Sequence, residues 1–163
     1  MTSNPELRFR RAAKADLRAV EAFLAATERP VGGVADQLER FWLAVHGNQI
    51  VGCAGLEKYG AIALLRSVAV LPERRNQGIG KALISHIVQD AMSANLTDLY
   101  LLTTHADRYF AGFGFRALLN RSAAPNALLA SAEFQGACPE SATLMRLSLA
   151  PSHSHRQGPV PNT

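Results

Sequence analysis

Residues 67–84 read SVAVLPERRNQGIGKALI, and the reading of this stretch decides the fold. Val68-Ala69-Val70 is β-branched and apolar, and Pro72 closes it as a strand. A basic loop through Arg74 and Arg75 follows. From Gly78 to about Ala94 the period changes: Ile79, Leu83, Ile84, Ile87, Val88 and Ala91 fall on one face of a helix, with Lys81, Gln89 and Asp90 on the other. The first turn of such a helix presents backbone N–H groups without intrahelical partners, at the positive end of its dipole. Gly78 and Gly80 carry no Cβ, so an anion can approach the main chain, and Arg74, Arg75 and Lys81 add positive charge. Together these describe a cradle for a pyrophosphate, or, more plainly, two glycines that start a helix beside solvated arginines. Two familiar phosphate motifs do not fit: Gly80-Lys81-Ala82 lacks the hydroxyl and glycine spacing of a P-loop, and Leu83 stands where a Rossmann fingerprint needs its third glycine.

Working outward, Leu7–Arg11 predicts a first strand and Lys14–Thr27 a helix, with Leu17, Val20, Phe23 and Leu24 at helical spacing. Pro30-Val31-Gly32-Gly33 breaks it before a short helix over Val34–Arg40. Phe41–Val45, a turn at Gly47-Asn48, Ile50–Leu56, a turn at Lys58-Tyr59-Gly60 and Ala61–Leu71 then predict an antiparallel meander. After the long helix, Leu99–Thr103 reads as a buried strand, parallel to the one before it because a right-handed crossover joins them. Asp107–Ala111 predicts a short helix, Ala124–Ala132 another, and Thr143–Leu149 a last strand. The fold class is α/β (α+β), in one domain over 1–150, with 151–163 a flexible tail that has little to bury.

Composition agrees. The 163 residues are 48% hydrophobic and 18% charged, enough to bury a core without disulfides or a structural metal. No apolar run approaches a membrane span, and the first residues show no export signal. Cys53 and Cys138 form no metal motif and establish no disulfide. The expected location is the cytoplasm. Seventeen basic against 13 acidic residues give a formal charge of +4, too mild and too scattered to indicate nucleic acid.

The segment Arg75-Asn76-Gln77-Gly78-Ile79-Gly80 resembles the signature of the GCN5-related N-acetyltransferase (GNAT) superfamily: Arg or Gln, two residues, Gly, one residue, then Gly or Ala. Val68-Ala69-Val70-Leu71-Pro72 before it, and Tyr109-Phe110 with Gly114-Phe115 after it, are similar to the family's flanking elements. The resemblance implies a mixed, mostly antiparallel sheet flanked by helices, splayed between the fourth and fifth strands. It also implies acetyl-coenzyme A as co-substrate, and no metal. Val68, Ala69 and Val70 would pair with the pantetheine arm, and Arg75, Asn76, Gln77, Gly78, Ile79, Gly80 and Lys81 would hold the pyrophosphate. Thr103 and Phe110 would line the coenzyme site, and a backbone N–H near Val68 would stabilise an oxyanion.

Departures from the family pattern shape the rest. Where many members carry an acid on the fourth strand, this chain has Leu64, and two residues on stands Arg66. Arg66 reads as a clamp for an acceptor's carboxylate, or as a residue snorkelling at a strand edge. The base must then lie elsewhere, with Glu28, Glu57 and His105 as the candidates, or water must do the work. The family's Tyr general acid is replaced by Phe110, with Tyr109 beside it but about 100° away around a helix. Thr104 and His105 join Arg66 as candidate acceptor contacts.

LRSVAV, RNQGIG and LLTTHADRYFAGFGF together are most similar to the arsenic-operon branch, which acetylates arsinothricin and resembles phosphinothricin acetyltransferases. That implies transfer to the α-amine of a small anionic amino acid in a detoxifying role, with a homodimer possible. Acetylation of a protein or peptide amine, or a non-catalytic acetyl-coenzyme A sensor, stays open beside it.

Overall fold

The computed structural model describes residues 6–138 and 141–149, so the tail expected over 151–163 lies outside the described residues. Strand β1 (Leu7–Arg11) leads through a 3-10 turn at Lys14–Asp16 into α1 (Leu17–Ala26) and then α2 (Val34–Gln37). Strands β2 (Phe41–His46), β3 (Gln49–Tyr59) and β4 (Ile62–Val70) form the meander. Helix α3 (Ile79–Ser93) and β5 (Asp98–Thr103) complete the crossover. There follow α4 (Asp107–Ala111), the two-residue β6 (Arg116–Ala117) and β7 (Thr143–Ser148). The sheet order is β1-β2-β3-β4-β5-β7-β6, and its one parallel pair among the described residues is β4–β5. This is the expected mixed, mostly antiparallel sheet.

Alternation along the strands divides the core between the two faces. Ala44, Val51, Ala54, Leu56, Ala63 and Leu65 pack under α3, against Ile79, Leu83, Ile84, Ile87 and Ala91. Leu43, Val45, Cys53 and Ala69 point the other way, onto Val20, Phe23 and Leu24 of α1 and Val34 of α2.

Two features of β4 make the site. It pairs with β5 only over Ile62–Leu64 against Asp98–Tyr100, after which the two strands part and leave the β5-facing edge of Leu65–Val70 open. On its other side the β3 register jumps from Cys53–Ala69 to Gly55–Arg66, so Ser67 and Val68 bulge out of the ladder. Ser67 takes φ 61° there, a strained value for a non-glycine residue.

Two expectations about elements need correction. Lys58 and Tyr59 belong to β3, paired with Ala63 and Ile62, and the turn is Gly60-Ala61. The helix expected over Ala124–Ala132 is instead a 3-10 turn at Asn126–Ala130, preceded by one at Arg121–Ala123 and followed by an irregular turn over Glu133–Ala137. Pro125 removes an N–H within the stretch, and only one of the neighbours Leu128 and Leu129 is buried. Helix propensity yields here to a one-sided packing demand: Leu128 and Phe134 lie on Leu64, Tyr100 and Leu144.

Candidate functional site

The parted strands open a cleft of about 650 Å³ whose walls come from β4, the loop before α3, the end of β5, α4 and the segment around residue 133. At one end is the predicted cradle. Asn76 and Gly78 both adopt left-handed backbone, at φ 64° and 80°, and Gly78 is the N-cap of α3. No side chain caps this helix, and its first internal bond runs from Ala82 N–H to Gly78 O. The N–H groups of Ile79, Gly80 and Lys81 therefore have no partner within the helix. Arg74, which also lines the cleft, has a buried Nε with no hydrogen-bond partner. An orphaned cationic donor beside open helix N–H groups is the setting a buried anion satisfies. The residues present fit the diphosphate of a coenzyme, and the unpaired β4 edge fits the amides of its pantetheine arm as an added strand would.

Of the expected coenzyme residues, Val68, Val70, Arg75, Asn76, Gly78, Ile79, Gly80, Lys81, Thr103 and Phe110 line the cleft. Ala69 turns its methyl into the α1 core, and Gln77 is exposed outside the lining. Thr103 Oγ1 also accepts from Ala106 N–H at 3.0 Å, which fastens the start of α4. Tyr109 and Phe110 divide the aromatic work. Phe110 is buried edge-on to Phe115, while Tyr109, 46% exposed, sets its hydroxyl 2.6 Å from where a Cβ of Gly80 would stand. Despite the adjacent register, Tyr109 is thus the hydroxyl beside the cradle. Partial burial raises its pKa, so it stays protonated at neutral pH.

The acceptor end departs most from expectation. Arg66 lines the cleft but is 2% exposed, and its guanidinium is committed inward. Nε donates to Ser67 Oγ at 2.9 Å, Nη2 to Pro30 O at 2.8 Å, and Nη1 to both Gly32 O and Glu57 Oε2 at 2.5 Å. It is neither a projecting clamp nor a snorkelling edge residue; it is a buried strut holding the loop after α1 to the sheet. Glu57 is buried too, bound by Arg66 and by the Tyr59 hydroxyl at 2.7 Å, and it does not line the cleft. Glu28, Thr104 and His105 are exposed at the rim. Arg29 is the exposed cation beside the bulge: its Nε donates to Val68 O at 3.2 Å.

Sequence reasoning missed Glu133. It lines the cleft, is 4% exposed, and lies 3.9 Å from Arg66 Nε. Burial pushes its pKa up to about 7, against the opposing pull of Arg66. The one signal available was a lone carboxylate set in the apolar run ALLASAEF. Cys138 sits nearby, its thiol pushed up to about 11, chiefly by burial. No group of three His, Cys, Asp or Glu side chains suited to a metal occurs among the described residues.

Residues 37–117 match the family described as acetyltransferase (GNAT) domain. An uncharacterized N-acetyltransferase of Chlorobaculum tepidum is 27% identical over 92 residues, covering 56% of this chain and 59% of that protein. An amino-acid acetyltransferase of Mycobacterium tuberculosis is 31% identical over 84 residues, 49% of this chain and 48% of its own. The chain therefore spans about half the length of these relatives. Among solved structures, N-acetylglutamate synthase from Neisseria gonorrhoeae, complexed with coenzyme A and N-acetyl-glutamate, superposes with a TM-score of 0.76. It is 19% identical, over 92% of this chain and 37% of that one. At that identity the likeness establishes the fold alone.

Proposed function

Since this chain belongs to the GNAT acetyltransferase superfamily, we propose that it moves an acetyl group from acetyl-coenzyme A to the α-amine of a small amino acid that carries a second anionic group. The observation that carries the reading is the cradle: open N–H groups at the start of α3 facing the same cleft as the unpartnered Nε of Arg74. Bound there, acetyl-coenzyme A supplies an activated acyl carbon. The chain supplies the positioning. The bulge takes Ser67 and Val68 out of the β3 ladder and so leaves a main-chain N–H for the thioester oxygen, and the β4 edge aligns the arm. The Tyr109 hydroxyl set over Gly80 donates to the coenzyme near its diphosphate, and water protonates the departing thiolate.

The acceptor class rests on charge and on kinship. Arg29 at the bulge offers an exposed guanidinium for a carboxylate or arsenate-like group, which Arg66 does not. Amino-acid acetyltransferases recur among the sequence relatives, and the N-acetylglutamate of the superposed synthase is an anionic amino-acid product. Glutamate and its toxic analogues arsinothricin and phosphinothricin fit this description, and a resistance role follows if an analogue is preferred. Thiol release from acetyl-coenzyme A, measured against free amino acids, arsinothricin, phosphinothricin, polyamines and peptides, tests the reading. The expected ranking puts an anionic amino acid at least about tenfold above any polyamine in kcat/KM, a difference of about 1.4 kcal/mol. Turnover of polyamines or peptides alone would overturn the acceptor class, and no turnover of any acceptor would overturn the transfer reading.

A further inference from the structure

We infer that Glu133, delivered from the segment after β6, receives the acceptor's ammonium group and takes its proton. The inference deepens the transfer reading and rests on it. An amino acid reaches the cleft as an ammonium ion, which has no lone pair to attack with. The proton needs an acceptor, and the best placed is a group that lines the cleft, holds a proton only in part at neutral pH and is fixed in position.

The structure leaves one such group among the described carboxylates. Leu64 occupies the β4 position where an acid would stand, and the segment over Leu128 and Phe134 packs directly onto it. That packing carries Glu133 to the cleft wall, above the strand that lacks the acid. Glu28 and His105 are at the exposed rim with no described partner to orient them, and Glu57 points away from the cleft into Arg66 and Tyr59. The Glu133 backbone is anchored in its own turn, its N–H donating to Ser131 Oγ at 3.2 Å, and its carboxylate meets the Cys138 thiol.

Two buried carboxylates share one guanidinium unequally, and the inequality sets their roles. Glu57 takes Nη1 of Arg66 at 2.5 Å and is neutralised by it. Glu133 has only Nε at 3.9 Å, a group already donating to Ser67, so the guanidinium opposes the effect of burial only in part and the Glu133 pKa stays raised. The groups facing it are Arg66 from β4, Glu57 from β3, Arg29 from the loop after α1, and Cys138 from its own segment. Their balance with burial places its pKa at about 7, near the pH at which a base both holds and releases a proton.

The step balances. One ammonium proton passes to a Glu133 oxygen. The freed lone pair forms the C–N bond as the C–S bond breaks. A second nitrogen proton is lost as the thiolate gains one, and Glu133 returns its proton to solvent.

The test is Glu133→Gln, read against wild type in two ways. With the best acceptor from the thiol-release panel, kcat/KM at pH 7 falls by about 100-fold or more while coenzyme A affinity is unchanged. The acidic limb of the profile moves from near 7 in wild type to the acceptor amine's own, higher pKa. In urea melts without substrate, a carboxyl raised from 4.5 to about 7 on folding costs wild type stability progressively as pH rises through that window. Glu133→Gln lacks that cost, so it gains stability relative to wild type between pH 5 and pH 8. An unmoved limb with near-wild-type kcat/KM overturns the inference while wild-type turnover upholds the transfer reading. If no acceptor is turned over, the melts still decide: parallel stability profiles overturn the raised, base-competent Glu133.

Discussion

Arg66→Ala is expected to cost about 3–5 kcal/mol of folding stability, because it leaves the buried Glu57 carboxylate without its cation. The same change also releases the carbonyls of Pro30 and Gly32 and so frees the loop that bears Arg29. For a chain of this size the loss lowers the melting temperature by roughly 10 °C or more. The sign with pH is definite. An unpaired buried carboxylate binds its proton more tightly in the folded state, so the deficit is smaller at pH 5 than at pH 8. Arg66→Met with Glu57→Gln removes both charges and recovers most of the stability. Urea denaturation at the two pH values checks this; a deficit under about 1 kcal/mol at pH 8 would mean that Arg66 is a substrate clamp rather than a strut.

Gly80→Val acts on the coenzyme and spares the fold. The added Cβ meets the Tyr109 hydroxyl, the far end of a half-exposed side chain that swings aside, so little stability is lost. The branched side chain then stands over the N–H groups of the first turn, where a diphosphate must approach. Coenzyme A affinity is expected to fall at least about tenfold, or about 1.4 kcal/mol, by calorimetric titration. Gly78 makes a different demand: nothing lies within 4 Å of its missing Cβ, and its φ of 80° is what a side chain would strain. Affinity within twofold of wild type in Gly80→Val would show that the ligand does not pass over this turn.

What the sequence made legible follows from where local signals suffice. Helix α3 runs from Ile79 to Ser93 between its caps Gly78 and Ala94 because period and glycine agree there, and the parallel β4–β5 pair follows from chain chirality. Arg66 was misread because its meaning is tertiary. An Arg in an apolar strand looks like a site residue until the β3–β4 register brings Glu57 diagonally across from it. Glu133 was invisible for the opposite reason: its segment has no regular element, and its position is set by Leu128 and Phe134 packing on Leu64. Tyr109 lay between these cases. The swap of Tyr and Phe relative to the family pattern was plain, but only the path of α4 across Gly80 shows where the hydroxyl goes.

The central claim is that open N–H groups at the start of α3 bind a diphosphate. Amide chemical shifts of Gly78, Ile79, Gly80 and Lys81, followed by NMR as coenzyme A is added, measure it directly. The account predicts large shifts at these four amides and at the Arg74 Nε–H with coenzyme A, and almost none with pantetheine, which lacks the diphosphate. Unmoved resonances at saturating coenzyme A would contradict it.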